Sequence, residues 1–185
     1  MTKKQMYKLV SQDYTTHGGT KWESGKKVVA NGIGAEMCTD QVLHCYSSPY
    51  LAILFNPIHA DIHNPRLIAV SCSKIIASDG LKFACKEQTM LKEIPCPRIS
   101  ALQSTEFAIR VAMLQYMGRD FVRWAKNWLS GIDRTFSAAQ SAARSAQFAA
   151  QFAAQPAQSA AQFAAESAAQ SAAKFKEIIN EIMER

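Results

Sequence analysis

LKEIPCPRISALQSTEFAIRVAML, residues 91–114, contains the change of period that decides the fold class. Residues 91–94 read as a strand, closed by Pro95-Cys96-Pro97, since a proline cannot donate to a β-ladder. From Ser100 the period changes from 2 to 3.6, with Phe107, Val111 and Leu114 on one helix face. Strands before this point and helices after it make an α+β chain. The expected organisation is a β-rich basic head over residues 1–98, an amphipathic helical connector over 99–134 and a long Ala-rich C-terminal helix over 135–185.

Upstream, residues 66–72 (RLIAVSC) are the clearest strand, rich in β-branched and apolar residues. Residues 74–77 are expected to extend it, Asp79-Gly80 is a turn, and 83–91 read as a strand or a short helix. Residues 6–10 (MYKLV) form a short strand and His17-Gly18-Gly19-Thr20 a turn. Residues 21–25 and 26–29 read as two further short strands, before the turn signal Asn31-Gly32-Ile33-Gly34. In QVLHCYSS (41–48), Val42, His44 and Tyr46 alternate with Leu43, Cys45 and Ser47. Pro49 suits the first turn of a short helix (49–55) that Asn56-Pro57 should end.

Downstream, Gly118 is expected to cap the first helix. Phe121, Trp124, Ala125 and Trp128 then fall at i, i+3, i+4 and i+7, one apolar stripe that Gly131 closes. From Ser137 the tail repeats in units of eleven residues, and Ala fills 18 of the 39 positions from 135 to 173. Eleven residues in three turns is about 3.67 per turn, so the seam drifts only slightly along a helix. Phe148, Phe152 and Phe163 are its apolar anchors, and Ala149, Ala153, Ala160 and Ala164 allow close approach of a second helix. That predicts a homo-oligomer through the tail, with a kink or reversal at Pro156, where an interior proline costs about 3 kcal/mol.

The net charge of +6 is unevenly spread: residues 1–134 hold 17 Lys/Arg and 11 Asp/Glu, and residues 135–185 hold four of each. A basic head attracts acidic protein surface, a nucleotide or nucleic acid. No dense Lys/Arg run with interleaved aromatics marks a nucleic-acid footprint. The five cysteines are an odd count without CxxC spacing, which favours buried free thiols over a disulfide framework or a zinc ribbon. The longest apolar run, residues 50–55, is too short to span a bilayer, so a soluble cytoplasmic protein is expected.

The candidates for ligand or partner contacts are Lys21, Trp22, His44, Tyr46, Tyr50, His59 and His63. Trp22, His44, Tyr46 and Tyr50 can line a pocket for a nucleotide base, or equally serve as core. On a strand, His59, Asp61 and His63 would share a face, with Cys38, His44 or Cys45 completing a metal site; the competing reading is an exposed polar loop. Cys45 and His44 cannot act together, because adjacent strand residues face opposite sides. No Walker loop, GxGxxG or GxSxG occurs, so no catalytic residue, metal or cofactor is assigned.

The segments KWESGKKVV (21–29), CTDQVLHCYSSPYLAILFNPIHADIHNPRL (38–67), KEIPCP (92–97) and FVRWAKNWLSGIDRTFSAA (121–139) resemble a family of small phage- and prophage-encoded proteins. Members pair a β-rich N-terminal domain with an Ala-rich tail after a W-x-x-x-W-L-S-G segment, here Trp124, Trp128, Leu129, Ser130 and Gly131. The resemblance covers residues 7–174. It implies an accessory phage gene acting in the bacterial host, such as an anti-CRISPR-like inhibitor of host defence. Such a protein works by binding and oligomerisation, with a host protein or protein–nucleic acid complex as partner. A second likeness, to ADP-ribosyltransferase-type folds, would place His17, Tyr46 or Tyr50, and Glu93 in the signature slots. It implies nucleotide transfer, or nucleotide binding and sequestration.

Overall fold

Lys4–Val10 (β1) alternates inward Met6, Lys8 and Val10 with Gln5, Tyr7 and Leu9 on its other side, and it runs up the centre of an antiparallel sheet. The computed structural model that shows this describes residues 4–37, 39–78, 82–115, 118–135, 137, 174 and 176–183. The chain divides into two compact units, Met1–Ile99 and Ser100–Arg185, and its fold class is α+β.

The first unit holds β1, Thr15–Thr16 (β2), Thr20–Lys21 (β3), Lys27–Val29 (β4), Leu43–Tyr46 (β5), Arg66–Cys72 (β6), Ile75–Ser78 (β7), Lys82–Cys85 (β8) and Glu87–Ile94 (β9). Two short helices, Pro49–Leu54 (α1) and Asn56–His59 (α2), follow β5. Seven strands form one sheet in the order β4-β9-β6-β1-β5-β8-β7, while β2 and β3 pair separately.

The sheet is rolled. Only Lys86 separates β8 from β9, yet these strands stand four places apart in the order. A flat sheet would hold them about 19 Å apart, whereas two residues of chain reach about 7 Å. Consistent with closure, the Cys72 and Cys85 Cα atoms lie 6.4 Å apart although β6 and β8 are three places apart. Across the same space the Gln88 side-chain amide on β9 donates to the Leu43 carbonyl on β5 at 3.0 Å. Met6, Val10, Trp22, Leu43, Ile68, Val70 and Met90 fill the interior together with Cys45, Cys72 and Cys85. On the outer face α1 packs over β1 and β5, burying Leu51 and Ala52.

Several local expectations change. Residues 74–77 do not extend β6, because the chain turns and Ile75–Ser78 becomes the opposite edge of the sheet. Residues 21–25 are not a strand beyond Lys21, and Asn56-Pro57 starts a second short helix, proline being tolerated in a first turn. Cys72 and Cys85 are joined in a disulfide, which a reading of free thiols missed because the pairing depends on the roll.

The second unit contains Ala101–Gln115 (α3), Arg119–Leu129 (α4) and a helical segment at 176–183. Gly118, at φ −58° and ψ 128°, precedes α4 as its N-cap rather than ending α3 in a left-handed turn. The apolar stripe of α4 buries Phe121, Ala125 and Trp128 in a cluster with Ile109, against which Ala112 and Met113 pack. So α3 presents Ile109 and Met113 to α4, a side that the spacing of Phe107, Val111 and Leu114 did not name. Its other side carries Gln103, which donates to the Ile182 carbonyl at 3.3 Å, and Arg110, which pairs with Glu181 at 2.8 Å. Phe107 is buried on that stripe, and Ile178, Ile179 and Ile182 are buried on the final helix. Phe148, Phe152, Phe163, Ala149, Ala153, Ala160, Ala164 and Pro156 lie outside the described residues. Among the described residues no helix is long and apolar enough to cross a membrane.

Candidate ligand-binding site

Between β1 and β5 the ladder is a single pair, Tyr7 opposite Tyr46. Continued antiparallel pairing would set Lys8 against Cys45 and Leu9 against His44, but there the strands part. The Lys8 side chain crosses the gap: its ammonium donates to the His44 carbonyl at 2.5 Å and sits 4.9 Å from the Trp22 ring centroid. Burial pushes the Lys8 pKa down to about 8, a nearby Cys45 thiolate acting in the opposite sense. The ammonium therefore persists at neutral pH in a setting that penalises it, which a buried cation does where an anion or a π-face offsets the cost.

A cavity of about 590 Å³ opens at this gap. Lys8, His44, Tyr46, His59 and Lys82 line it from the strands and α2, and His17 does so from the β2–β3 turn. Lys82 stands opposite Tyr46 in the β5–β8 register, on the same face, and is buried. The Tyr46 hydroxyl and His59 Nδ1 are hydrogen-bonded at 2.7 Å, and the His59 ring stacks on Phe55 with centroids 5.1 Å apart. The turn that carries His17 depends on Gly18 and Gly19, at φ +71° and +73°, a conformation that side chains with a Cβ resist.

The loop that supplies Asn31, Thr39 and Asp40 to the wall is held by Lys86. Its ammonium donates to the carbonyls of Gly34, Gln41 (2.7 Å) and Gly32 (3.3 Å). One side chain thus ties both ends of the loop to the β8–β9 junction, and the Asn31 amide closes it onto the Asp40 carbonyl at 3.1 Å.

Two lysines against the single carboxylate of Asp40 give this lining a positive balance. Stacked rings, hydroxyls and a volume within the usual 300–1,000 Å³ of small-molecule sites suit an anionic ligand with a flat group.

Of the residues singled out in the sequence, His44, Tyr46 and His59 come together here. Trp22 does not line the cavity: it is 1 % exposed, lies under Lys8 and donates from Nε1 to Thr16 Oγ1 at 3.0 Å. Lys21 is exposed and bonded to the Asp13 carbonyl. Tyr50 is half-buried on α1 and His63 lies in an exposed loop, neither of them in the lining. His59, Asp61 and His63 share no strand, since α2 ends at His59 and Asp61 takes a left-handed φ of 47°.

His17 and Tyr46 share the cavity with each other but not with Glu93. Glu93 is bonded to the Tyr14 hydroxyl and, at 3.0 Å, to Arg66, which hold its carboxyl below the usual range. Lys8 and Lys82 are the residues the sequence reading passed over. A lysine at the inward position of Met6-x-Lys8-x-Val10 was the available signal, because alternation assigns that position to the core.

A family described as a domain of unknown function (DUF7666) matches residues 4–102, more than half of the chain. No curated protein and no solved structure shows a significant match.

Proposed function

We propose, on the premise that the chain belongs to the DUF7666 family, that its head is a binding module for an anionic small molecule of nucleotide size. The observation that supports this is the cavity at the β1–β5 gap, where Lys8 and Lys82 meet His44, His59 and Tyr46. The lysines match phosphate charge, and the ring pair Tyr46–His59 offers a stacking face for a base. A thermal-shift panel of mono-, di- and cyclic nucleotides and inorganic phosphate tests it. A ligand at a hundredfold excess over its Kd stabilises the native state by about 2.7 kcal/mol, a readily measured shift. No shift across the panel would contradict the reading.

The basic balance of residues 1–134 favours a second reading, a phage accessory inhibitor that docks on a host protein or protein–nucleic acid complex. Binding without catalysis is common to both. Mass spectrometry of a pull-down from bacterial lysate separates them: a stoichiometric host partner supports docking, and recovery of the protein alone leaves the small-molecule site.

A further inference from the structure

Three cysteine sulfurs converge inside the roll, none of them in the lining of the cavity. Cys45 stands on β5, Cys72 ends β6 and Cys85 ends β8, all three buried in one cluster. The Cys45 Sγ lies 4.0 Å from that of Cys72 and 4.0 Å from that of Cys85. Among the described residues these form the one group of His, Cys, Asp or Glu whose donor atoms lie within 4.8 Å of one another. Buried cysteines commonly serve as small apolar filler, but two neighbours here are not apolar. Gln88 stands opposite Cys72 in the β6–β9 register, and its amide nitrogen bonds to Leu43, the partner of Cys85. Gln88 is 1 % exposed and its Oε1 has no hydrogen-bond partner. The second is Lys8, whose charge is felt at Cys45.

We propose that, with the Cys72–Cys85 bond reduced, Cys45, Cys72 and Cys85 hold one zinc(II) ion, with Gln88 Oε1 as the fourth donor. A tetrahedral ion with Zn–S bonds of about 2.3 Å sets its sulfurs about 3.8 Å apart, close to the two 4.0 Å separations present. Three thiolates and zinc(II) carry one net negative charge; a monovalent soft ion would leave two in a dry core. The chemistry is complete in two steps. A phosphine reductant with one water converts the disulfide to two thiols and becomes its oxide. Zinc then displaces three thiol protons as three Zn–S bonds form.

The test uses the full chain, reduced with a water-soluble phosphine, and titrates cobalt(II) followed by zinc(II). One cobalt per chain should bring near-ultraviolet thiolate-to-cobalt charge-transfer absorption, which zinc abolishes. The unreduced chain should show none. Cys45→Ser and Gln88→Leu, which each remove a donor, should weaken binding by more than the ~10–100-fold that outer-shell changes produce, and Cys96→Ser not at all. Release of three protons per zinc from wild-type protein is a readout that needs no variant. Absence of the charge-transfer band at stoichiometric metal, release of no protons, or a folded Cys45→Ser chain that binds like wild type would each overturn the proposal.

Discussion

Lys8 occupies a position that strand alternation gives to the core, and that misfit is the residue-scale signature of the site. Its depressed pKa means that the unfolded chain binds more protons than the folded one between pH 8 and 10.5, so this group makes stability rise with pH across that window. Cys45 works in the opposite direction: burial lifts its thiol from 9.0 to about 11, so stability falls from pH 9 upward on its account. The two nearly cancel above pH 9. Urea denaturation should therefore show wild type gaining about 1 kcal/mol from pH 8 to 9, at 1.36 kcal/mol per pKa unit, and then levelling off. Lys8→Met should lack the gain, be at least as stable as wild type at pH 7, and lose affinity for an anionic ligand. A less stable Lys8→Met chain would show that the ammonium serves the fold and not a ligand.

At the scale of elements, Lys86 and α4 make separate predictions. Lys86→Met removes three charge-assisted bonds from the loop at 32–41. With bonds to charged groups worth about 1.5–3 kcal/mol each at most, and part of the loop still paired, a loss of about 2 kcal/mol is expected in chemical denaturation. Phe121→Ala, in the buried cluster of α4, should cost about 3–5 kcal/mol to the helical unit, read as lost helical circular dichroism with the sheet unchanged.

The elements also show which parts of the fold local sequence encodes. RLIAVSC was legible as an unbroken β-branched and apolar run, buried from Leu67 to Cys72, and the stripe of α4 because burial there follows a period of 3.6. The fate of residues 74–77 was not, since a turn after Cys72 that sends the chain to the far edge leaves no local pattern. The spacing named the face of α3 that buries Phe107 and missed Ile109 on the side toward α4, because a helix with two buried sides blurs a single-stripe reading. Of the site, the aromatic and histidine members were legible by type. Lys8 and Lys82 were not, because only the splay of β1 from β5 and the β5–β8 register bring them in.

For the whole molecule, the rolled sheet closes within Met1–Ile99, so a chain ending at Ile99 should fold alone and keep the nucleotide-panel response of the full chain. Circular dichroism and the thermal panel on that truncation check this. We propose that self-association, if it accompanies binding, belongs to residues 135–185; sedimentation of the full chain against one ending at Arg134 reads it directly. The central claim is that the β1–β5 gap binds an anion, and calorimetric titration of the best panel ligand into wild type and Lys82→Met tests it most directly. The account predicts saturable one-to-one binding by wild type, weakened by adding salt and at least tenfold weaker in a folded Lys82→Met chain. Equal affinities in the two proteins, or no measurable heat in either, would contradict it.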